Sequence, residues 1–143
     1  MNVDRITKYW VVVVSKDHIE RGISGGFIQA NHGKSGSLKR MAVNDWVMCY
    51  SPNQKLGEKE SCRAFTAIGK VADEGIYQYK ISENFVPFRR NIEYLECKDA
   101  PIINLINDLD FIKNKNSWGY PFRFGFFEIN EHDYNIIKMA MLP

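Results

Sequence analysis

The sequence predicts an α+β domain in which a mixed β-barrel of about six short strands is flanked by helices. The chain has 143 residues, of which 45% are hydrophobic and 25% charged, a balance that suits one globular domain with a single core. Short segments rich in β-branched and aromatic residues recur along most of the chain, and apolar residues take a helical spacing only after Pro101. We therefore expect a single domain over residues 1–143, closed as a barrel because closure removes exposed strand edges.

The predicted strands are separated by turn-forming residues and charged loops. The apolar first strand indicates burial on both faces, and Gly69 in the third marks a bulge or a close approach of two backbones. A turn at Asp73–Gly75 separates the third strand from the fourth. In order, the strands are Thr7–Ser15, Asp45–Ser51, Arg63–Val71, Ile76–Ile81, one within Val86–Cys97, and Phe122–Ile129. We expect the second and third strands to lie close to the first in one sheet.

Three helices are predicted between and after these strands. Lys16–Ile23 makes about two turns and is stopped by the glycines that follow it. Ile102–Ile112 has apolar residues at helical spacing, with Pro101 at a favoured first-turn position. The last helix begins after Asn130, a good N-cap, and Asp133 favours its positive end.

A long polar, glycine-rich loop, Ser24–Ser37, follows the first helix. Loops of this length in compact domains are usually functional or disordered. The net charge of +2 is too small to indicate a nucleic-acid binder by itself, but no carboxylate occurs between Glu20 and Asp45. The basic residues of this stretch and of two later spots are Arg21, Lys34, Lys39, Arg40, Arg89, Arg90 and Arg123. They form one positive surface if the fold brings them together; otherwise the charge is scattered and only solubilising.

Metal, triad and phosphate-loop chemistry find no support in the spacing of the residues. His18, His32 and His132 are far apart and form no HExxH-like arrangement, so we expect no metal site. The chain has no GxSxG nucleophile motif. Gly33–Ser35 resembles the end of a phosphate-binding loop, but Ile28 stands where that motif needs a glycine. We therefore expect no cofactor.

The three cysteines, Cys49, Cys62 and Cys97, are odd in number and widely spaced, which indicates neither a disulfide framework nor a CxxC metal knuckle. Cys49 stands in an apolar strand, where an inert thiol is expected. The longest strongly apolar run, Tyr9–Val14, is too short to cross a bilayer, and no signal-peptide pattern opens the sequence. These features favour a reducing, cytoplasmic location and no membrane partner.

The side chains left to carry a function are aromatic and polar. Such a set suits a flat base, which stacks on aromatic rings for about 1–3 kcal/mol while amides and backbone groups bind its edge. The alternative is that the rings fill the core and the loop is only solvated. The rings in or beside strands are Trp10, Tyr50, Phe65, Phe88 and Trp118, and the long loop contributes Gln29, Asn31, His32 and Lys34.

Six segments occur in an order that resembles the EVE domain and, more narrowly, the small single-domain bacterial proteins of the uncharacterised UPF0310 family. The segments are Gln29–Lys34, Ser37–Arg40, Asp45–Pro52, Phe65–Gly69, Pro87–Arg90 and Trp118–Gly125. They extend over nearly the whole chain, from about Tyr9 to Met141, and their order over that length makes the resemblance specific. One departure is Asn44 before Asp45, where relatives usually have glycine; it alters a turn and leaves the implied pocket residues untouched.

The resemblance implies a PUA-like fold, a mixed β-barrel flanked by helices. EVE domains are similar to YTH domains, which hold a methylated adenine in an aromatic cage, and they are thought to sense modified bases. The implied partner is DNA or RNA that carries a modified base. The implied base pocket is Phe27, Gln29, Asn31, His32, Tyr50, Ser51 and Trp118, with Tyr50 and Trp118 stacking and Gln29, Asn31 and Ser51 bonding the edge of the base. The implied phosphate contacts are Lys34, Arg89, Arg90 and Arg123.

A non-enzymatic reader of a modified base is the leading hypothesis, and two other functions stay open. The ASCH group of hydrolases and nucleases shares the PUA-like barrel, and its chemistry requires a lysine with a carboxylate or a threonine in the cleft. Lys34 and Thr66 are available, but the long loop offers no carboxylate as a general base. A protein-interaction module would instead expose a large apolar patch.

Overall fold

The computed structural model describes residues 6–55 and 57–143, which form one seven-stranded mixed sheet with three α-helices. The strands are β1 Tyr9–Val13, β2 Phe27–Ile28, β3 Trp46–Asn53, β4 Ser61–Gln78, β5 Phe88–Tyr94, β6 Ala100–Pro101 and β7 Phe126–Ile129. The helices are α1 Lys16–Gly25, α2 Gly36–Arg40 and α3 Glu131–Met141. Short 3₁₀ helices occupy Asn31–Gly33, Ile102–Asn104, Lys115–Ser117 and Tyr120–Phe124. No helix in these two ranges is long and apolar enough to cross a membrane.

The sheet is open, so the predicted barrel is wrong. Its strand order is β2-β5-β4-β3-β1-β7, with β6 paired to β4. Within the described residues, β2 pairs only with β5 and β7 only with β1, which leaves two edges. Both edge strands are short, two residues in β2 and four in β7. Short edges expose little unpaired backbone, so closure is not needed to protect them.

The expected neighbours of the first strand are confirmed. β1 runs parallel to β3, with Tyr9 opposite Trp46, and β3 pairs antiparallel with β4. The close approach at Gly69 is also confirmed, because a Cβ there would stand 2.6 Å from the carbonyl oxygen of Glu93 on β5. A side chain at this position would push β4 and β5 apart, which explains the glycine.

Each face of the sheet has its own apolar core. The first face carries Trp10 of β1 and is covered by Ile19 of α1 and Leu38 of α2. The second face carries Val11 and is covered by α3 and by the irregular segment 102–122. Because side chains alternate between faces along a strand, residues adjacent in sequence belong to different cores.

The helix predicted over Ile102–Ile112 is wrong. Only the 3₁₀ turn at its start and a series of turns form there. Asn107 and Asp108 favour local side-chain bonds to the backbone over a helix. The carboxylate of Asp133 also accepts the backbone N–H groups of Asp110 at 2.8 Å and Phe111 at 2.9 Å. The apolar side chains of this segment still pack into the second core. Their spacing therefore reflects burial and not a helical backbone.

The predicted turn at Asp73–Gly75 lies inside β4 instead of ending it. The register between β4 and β5 shifts between Val71 and Ile76, and Asp73 Oδ1 accepts the N–H of Gly75 at 3.0 Å. The third and fourth predicted strands are therefore one irregular strand. A bulge keeps the pairing partner while it absorbs the extra residues, and sequence patterns do not distinguish it from a turn.

Caps and turns around the sheet follow the residue types. Asn130 caps α3 by accepting the N–H of Asp133 at 2.8 Å, as predicted. Gly26 ends α1 in the left-handed conformation at φ +70°. Asn44 has φ +71°. Asparagine tolerates this conformation better than most residues, so the turn into β3 is retained.

Candidate nucleic-acid interface

Arg89, the second residue of β5, lies at the centre of a group of aromatic and amide side chains. Its Nε donates a hydrogen bond to Gln29 Oε1 at 2.7 Å. Its Cζ lies 3.7 Å from the ring centre of Phe27 and 4.1 Å from that of Tyr79. Gln29 and Phe27 are buried, whereas Tyr79 is 53% exposed. We call these four residues the Arg89 cluster; it presents two rings and one amide to a single planar group near the surface.

Strand pairing at the edge of the sheet brings the Arg89 cluster together. β2 pairs antiparallel with β5, with Ile28 opposite Arg90, so the next residue, Gln29, reaches Arg89. Tyr79 directly follows β4, and its N–H donates to the carbonyl oxygen of Pro87 just before β5 at 3.0 Å. The cluster is thus built from the ends of three strands that neighbour one another in the sheet.

Phe27 is held in place by α1 and by β5. A Cβ at Gly25, the last residue of α1, would lie 2.6 Å from Cε1 of Phe27, so only glycine leaves room for the ring. The hydroxyl of Tyr94 donates to the carbonyl oxygen of Phe27 at 2.9 Å. These contacts make the ring a fixed wall of the cluster.

His18, in the first turn of α1, is a half-buried residue with one fully buried ring nitrogen. Its Nε2 is buried and has no hydrogen-bond partner among the described residues. Burial above all, and then the charges of Arg21 and Arg89, lower the pKa of His18, against an opposing effect of Asp17. The imidazole is therefore neutral at neutral pH. An unsatisfied buried nitrogen costs about 1–3 kcal/mol, a cost that a ligand able to bond it would remove.

The loop after β2 has an unusual backbone. Asn31, His32 and Gly33 have φ of +48°, +59° and +84°, and three consecutive left-handed residues are costly for the two that are not glycine. The side-chain amide of Asn31 donates to the hydroxyl of Ser37. A Cβ at Gly33 would lie 2.6 Å from Cβ of Pro87. The loop is thus held against the start of β5, with His32 exposed.

Two residues of the predicted base pocket lie inside the protein. Tyr50 is 2% exposed, and its ring stacks on Phe122 at 3.8 Å between ring centres in the second core. Burial raises the pKa of Tyr50 to about 12. Ser51 is fully buried and its hydroxyl pairs with that of Thr66 at 2.7 Å. We therefore correct both assignments: these side chains support the sheet and do not face a ligand.

Trp118 is not part of the Arg89 cluster. It is half-buried and packs against the second core, whereas Arg89 contacts Phe27, Tyr79 and Gln29. The structure thus brings together Phe27, Gln29 and Arg89 and gives Trp118 a packing role. The order of the motifs in the sequence does not reveal which aromatic rings share a site.

Arg90 has a structural role instead of the predicted phosphate contact. It is 4% exposed, and its Nη1 donates to the carbonyl oxygens of Leu38 at 2.8 Å and Met41 at 2.6 Å. Its Nε and Nη2 donate to the carbonyl oxygen of Asp73 at 3.2 and 3.1 Å. Arg90 therefore ties α2 to the bulge of β4. The other predicted phosphate contacts differ from it, because Lys34 and Arg123 are exposed and Arg89 is half-buried.

Tyr79 is a member of the Arg89 cluster that the sequence does not mark. It lies in what the sequence presents as an ordinary alternating strand, and its pairing next to Pro87 aims it at Arg89. No local motif marks this residue, since it reaches the cluster from a strand end distant in sequence from Phe27 and Gln29.

Two other sites bear on the alternatives of metal binding and lysine–threonine chemistry. Asp110, His132 and Asp133 place ligand atoms within 4.8 Å of one another, but the carboxylate of Asp133 already accepts two backbone N–H groups and contacts His132 Nδ1 at 2.9 Å. This group holds the start of α3. The hydroxyl of Thr66 is paired inside the sheet, while Lys34 is exposed on the loop.

Comparison with known proteins identifies the class first. Residues 8–140 match the family model of the EVE domain, so the chain belongs to the EVE domain family. Within it, similar curated proteins carry the name UPF0310. One from Mycolicibacterium vanbaalenii is 48% identical over 93% of this chain and 92% of the relative. UPF0310 protein YdcG of Bacillus subtilis is 39% identical over 94% of this chain and 92% of the relative.

Solved structures with the same fold include both uncharacterised proteins and YTH domains. A hypothetical protein from Leishmania major has a TM-score of 0.59 at 14% identity, covering 94% of this chain and 95% of that one. The Pho92 YTH domain, solved in complex with m6A, has a TM-score of 0.56 at 12% identity, covering 99% and 92%. The Mmi1 YTH domain, solved in complex with RNA, has a TM-score of 0.53 at 8% identity, covering 94% and 77%.

Proposed function

We propose that this protein binds nucleic acid and recognises a modified nucleobase at the Arg89 cluster. One observation carries the proposal: a planar group already lies against two aromatic rings with an amide at its edge, at 3.7, 4.1 and 2.7 Å. Stacking on rings and hydrogen bonding at the edge are the contacts by which proteins hold a flat base. The fold shared with YTH domains solved with m6A and with RNA supports the same partner.

In this proposal the base replaces the Arg89 guanidinium. A cation–π contact contributes about 0.5–1 kcal/mol at exposed sites and about 2 when desolvated, whereas stacking of a base contributes about 1–3 kcal/mol. The exchange is therefore close to balanced before any hydrogen bond to the base is counted. Once displaced, Arg89 is free to contact a phosphate of the bound strand, the role predicted for it from the sequence.

The edge of the base would meet Gln29, because displacement of Arg89 releases Gln29 Oε1. This polar group matters because a methyl group contributes only about 0.8 kcal/mol on burial. A larger preference needs groups that stay unpaired when the wrong base enters. The exposed Lys34 and Arg123 would contact phosphates and add affinity without base identity.

We further propose that the protein acts by binding and not by catalysis. The support is that the solved YTH domains with this fold are described as complexes with m6A or RNA. In addition, the hydrolase alternative would use Lys34 with Thr66, and these two side chains differ in exposure. Lys34 is exposed, whereas Thr66 is 6% exposed and its hydroxyl is hydrogen-bonded to that of Ser51.

The test is a binding screen with Phe27→Ala as the decisive variant. Oligonucleotides with one methylated, hydroxymethylated or unmodified base are titrated against the wild-type protein by fluorescence anisotropy. We expect the wild type to prefer one modified strand, and Phe27→Ala to lose that preference while it retains weak, salt-dependent binding. A wild type that binds every strand equally, or none, contradicts the proposal.

Loss of fold is separated from loss of the site by a matched control. Tyr134→Ala removes another buried ring, at 5% exposure, from α3 on the second face of the sheet. We expect it to lower the melting temperature as much as Phe27→Ala does and to keep the preference among strands. If the Phe27→Ala protein is folded and still prefers the modified strand, Phe27 is not part of the base-binding site.

A further inference from the structure

A second aromatic cleft lies in the segment between the second core and β7. Its volume is about 540 Å³, within the range of small-molecule sites. The rings of Phe111, Tyr120, Phe124 and Phe127 line it, and Lys113 and Asn114 stand at its polar side. Nothing in the Arg89 cluster uses these side chains.

The outer rings of this cleft are exposed although they are large and apolar. Tyr120 is 58% and Phe124 62% exposed, and their rings meet edge to face at 5.5 Å between centres. The inner rings, Phe111 and Phe127, lie 5.2 Å apart and are half-buried. Exposed aromatic side chains grouped around one cleft indicate a ligand with flat apolar faces.

The charge of the cleft and its position favour a nucleobase. Its lining carries the ammonium group of Lys113 and no carboxylate, which suits a ligand attached to phosphates. Arg123, which lies between Tyr120 and Phe124 in the sequence, is an exposed positive charge of the same segment. The residue after Phe124 is Gly125, where a Cβ would lie 3.0 Å from Asn31 Oδ1. The cleft therefore borders the loop that leaves the Arg89 cluster.

We propose that this cleft holds a second, unmodified nucleobase, one that neighbours the recognised base on the same strand. The inference rests on the proposed function, because it assumes that a strand lies across loop 31–34 with its modified base in the Arg89 cluster. The second base stacks on Tyr120 and Phe124 without a sequence preference, since every base has an aromatic face. Its phosphates meet Lys113 and Arg123.

The experiment compares ligands of different length on the variant Tyr120→Ala/Phe124→Ala. The probes are a nine-nucleotide strand with one modified base, the same strand with abasic flanking positions, and the free modified nucleoside. We expect the variant to bind the full strand more weakly, on the order of tenfold for the loss of one stacked base. It binds the nucleoside and the abasic strand as the wild type does. Ile103→Ala/Met139→Ala removes two exposed apolar side chains outside the cleft and changes none of the three affinities.

Failure of this inference and failure of the proposed function give different results. If the variant binds the full strand as tightly as the wild type, the cleft does not hold a base, and the preference for the modified strand still stands. If the variant weakens the nucleoside as well, the cleft is the modified-base site itself and the inference is overturned. If the wild type has no preference among strands but the variant weakens all of them, the cleft stands and the proposed function fails. If a peptide competes for the cleft and strands do not, the occupant is a protein and the inference is wrong.

Discussion

At the scale of single residues, Arg89 stands where the proposed ligand would bind and also carries the charge that the ligand's phosphates need. Its guanidinium rests on Phe27 and Tyr79 and occupies the Oε1 of Gln29. A free nucleoside must compete with these contacts, and it has no phosphate group that the displaced guanidinium could bind. A strand meets the same competition but regains a charged contact. Under the proposed function, the same side chain therefore opposes binding of the nucleoside and promotes binding of the polymer.

This reasoning predicts opposite effects of Arg89→Ala on two ligands. We expect the variant to bind the free modified nucleoside more tightly, on the order of threefold to tenfold for removal of a competing cation–π contact. We expect it to bind the strand with a salt slope reduced by about 1. Calorimetry with the nucleoside and a salt titration with the strand measure the two effects. Arg89→Lys, which keeps the charge without the planar fork, should restore the slope but not the competition. Weaker nucleoside binding by Arg89→Ala would contradict the displacement.

The paired arginines also mark how far the sequence predicts individual roles. The motif resemblance pointed to Phe27, Gln29 and Arg89, and the structure does bring those three together. The resemblance also implied that Arg90, like Arg89, contacts phosphate. Adjacent residues of a strand face opposite ways, and the guanidinium of Arg90 donates its hydrogen bonds to backbone carbonyl oxygens. The burial of Tyr50 was also not predicted, because the sequence does not show whether an aromatic side chain of a strand packs in the core or is exposed at the strand end.

At the scale of elements, the loop after β2 connects the Arg89 cluster to the second cleft. Its left-handed residues turn the chain sharply, and Gly33 packs against Pro87 at the start of β5. The strain in Asn31 and His32 is retained because Ser37 and Pro87 hold the loop from both sides. Strained backbone that the surroundings enforce is often found where a ligand is bound.

We predict that Gly33→Ala destabilises the fold and damages the site. An L-residue at φ +84° costs about 1–2 kcal/mol for the left-handed conformation, and the added Cβ would lie 2.6 Å from Pro87 Cβ. Thermal unfolding and strand binding measured on the same preparation check both effects. Gly36→Ala is the matched control, because a Cβ there meets nothing within 4 Å and its φ is ordinary. Equal melting temperatures for the two variants would show that the loop tolerates a side chain at Gly33.

The sequence predicts a helix or strand correctly where a capping residue or a close backbone contact determines its position. It fails where the spacing of apolar residues is the only indication. Asn130 ended a strand and started α3 as expected, because its side chain satisfies a free N–H group. The spacing of apolar residues over 102–112 predicted a helix that does not form, because burial in the second core requires only that those side chains reach it. Asp133 then holds the irregular backbone there through two hydrogen bonds.

At the scale of the whole molecule, the proposed function depends on which basic residues are exposed near the Arg89 cluster and loop 31–34. Two cores cover the two faces of the open sheet, and a basic residue bound to backbone within one of them, as Arg90 is, does not contact a strand in this proposal. In a closed barrel, all the strand ends at one opening would be neighbours, so the predicted barrel does not distinguish Arg89 from Arg90. The net charge of +2 therefore matters less than the exposure of particular side chains.

The final prediction separates solvated from structural arginines by salt dependence. Each phosphate contact releases counterions, so Lys34→Ala and Arg123→Ala should each reduce the salt slope of strand binding by about 1 and weaken modified and unmodified strands alike. Lys59→Ala, in the exposed segment 57–60, should leave the slope unchanged. Arg90→Ala should instead lower stability, because the buried carbonyl oxygens of Leu38 and Met41 lose their donor at about 1–3 kcal/mol for an unsatisfied group. Salt titrations and melting curves of the four variants distinguish these behaviours. An Arg90→Ala protein with normal stability and a reduced slope would return Arg90 to the phosphate contacts.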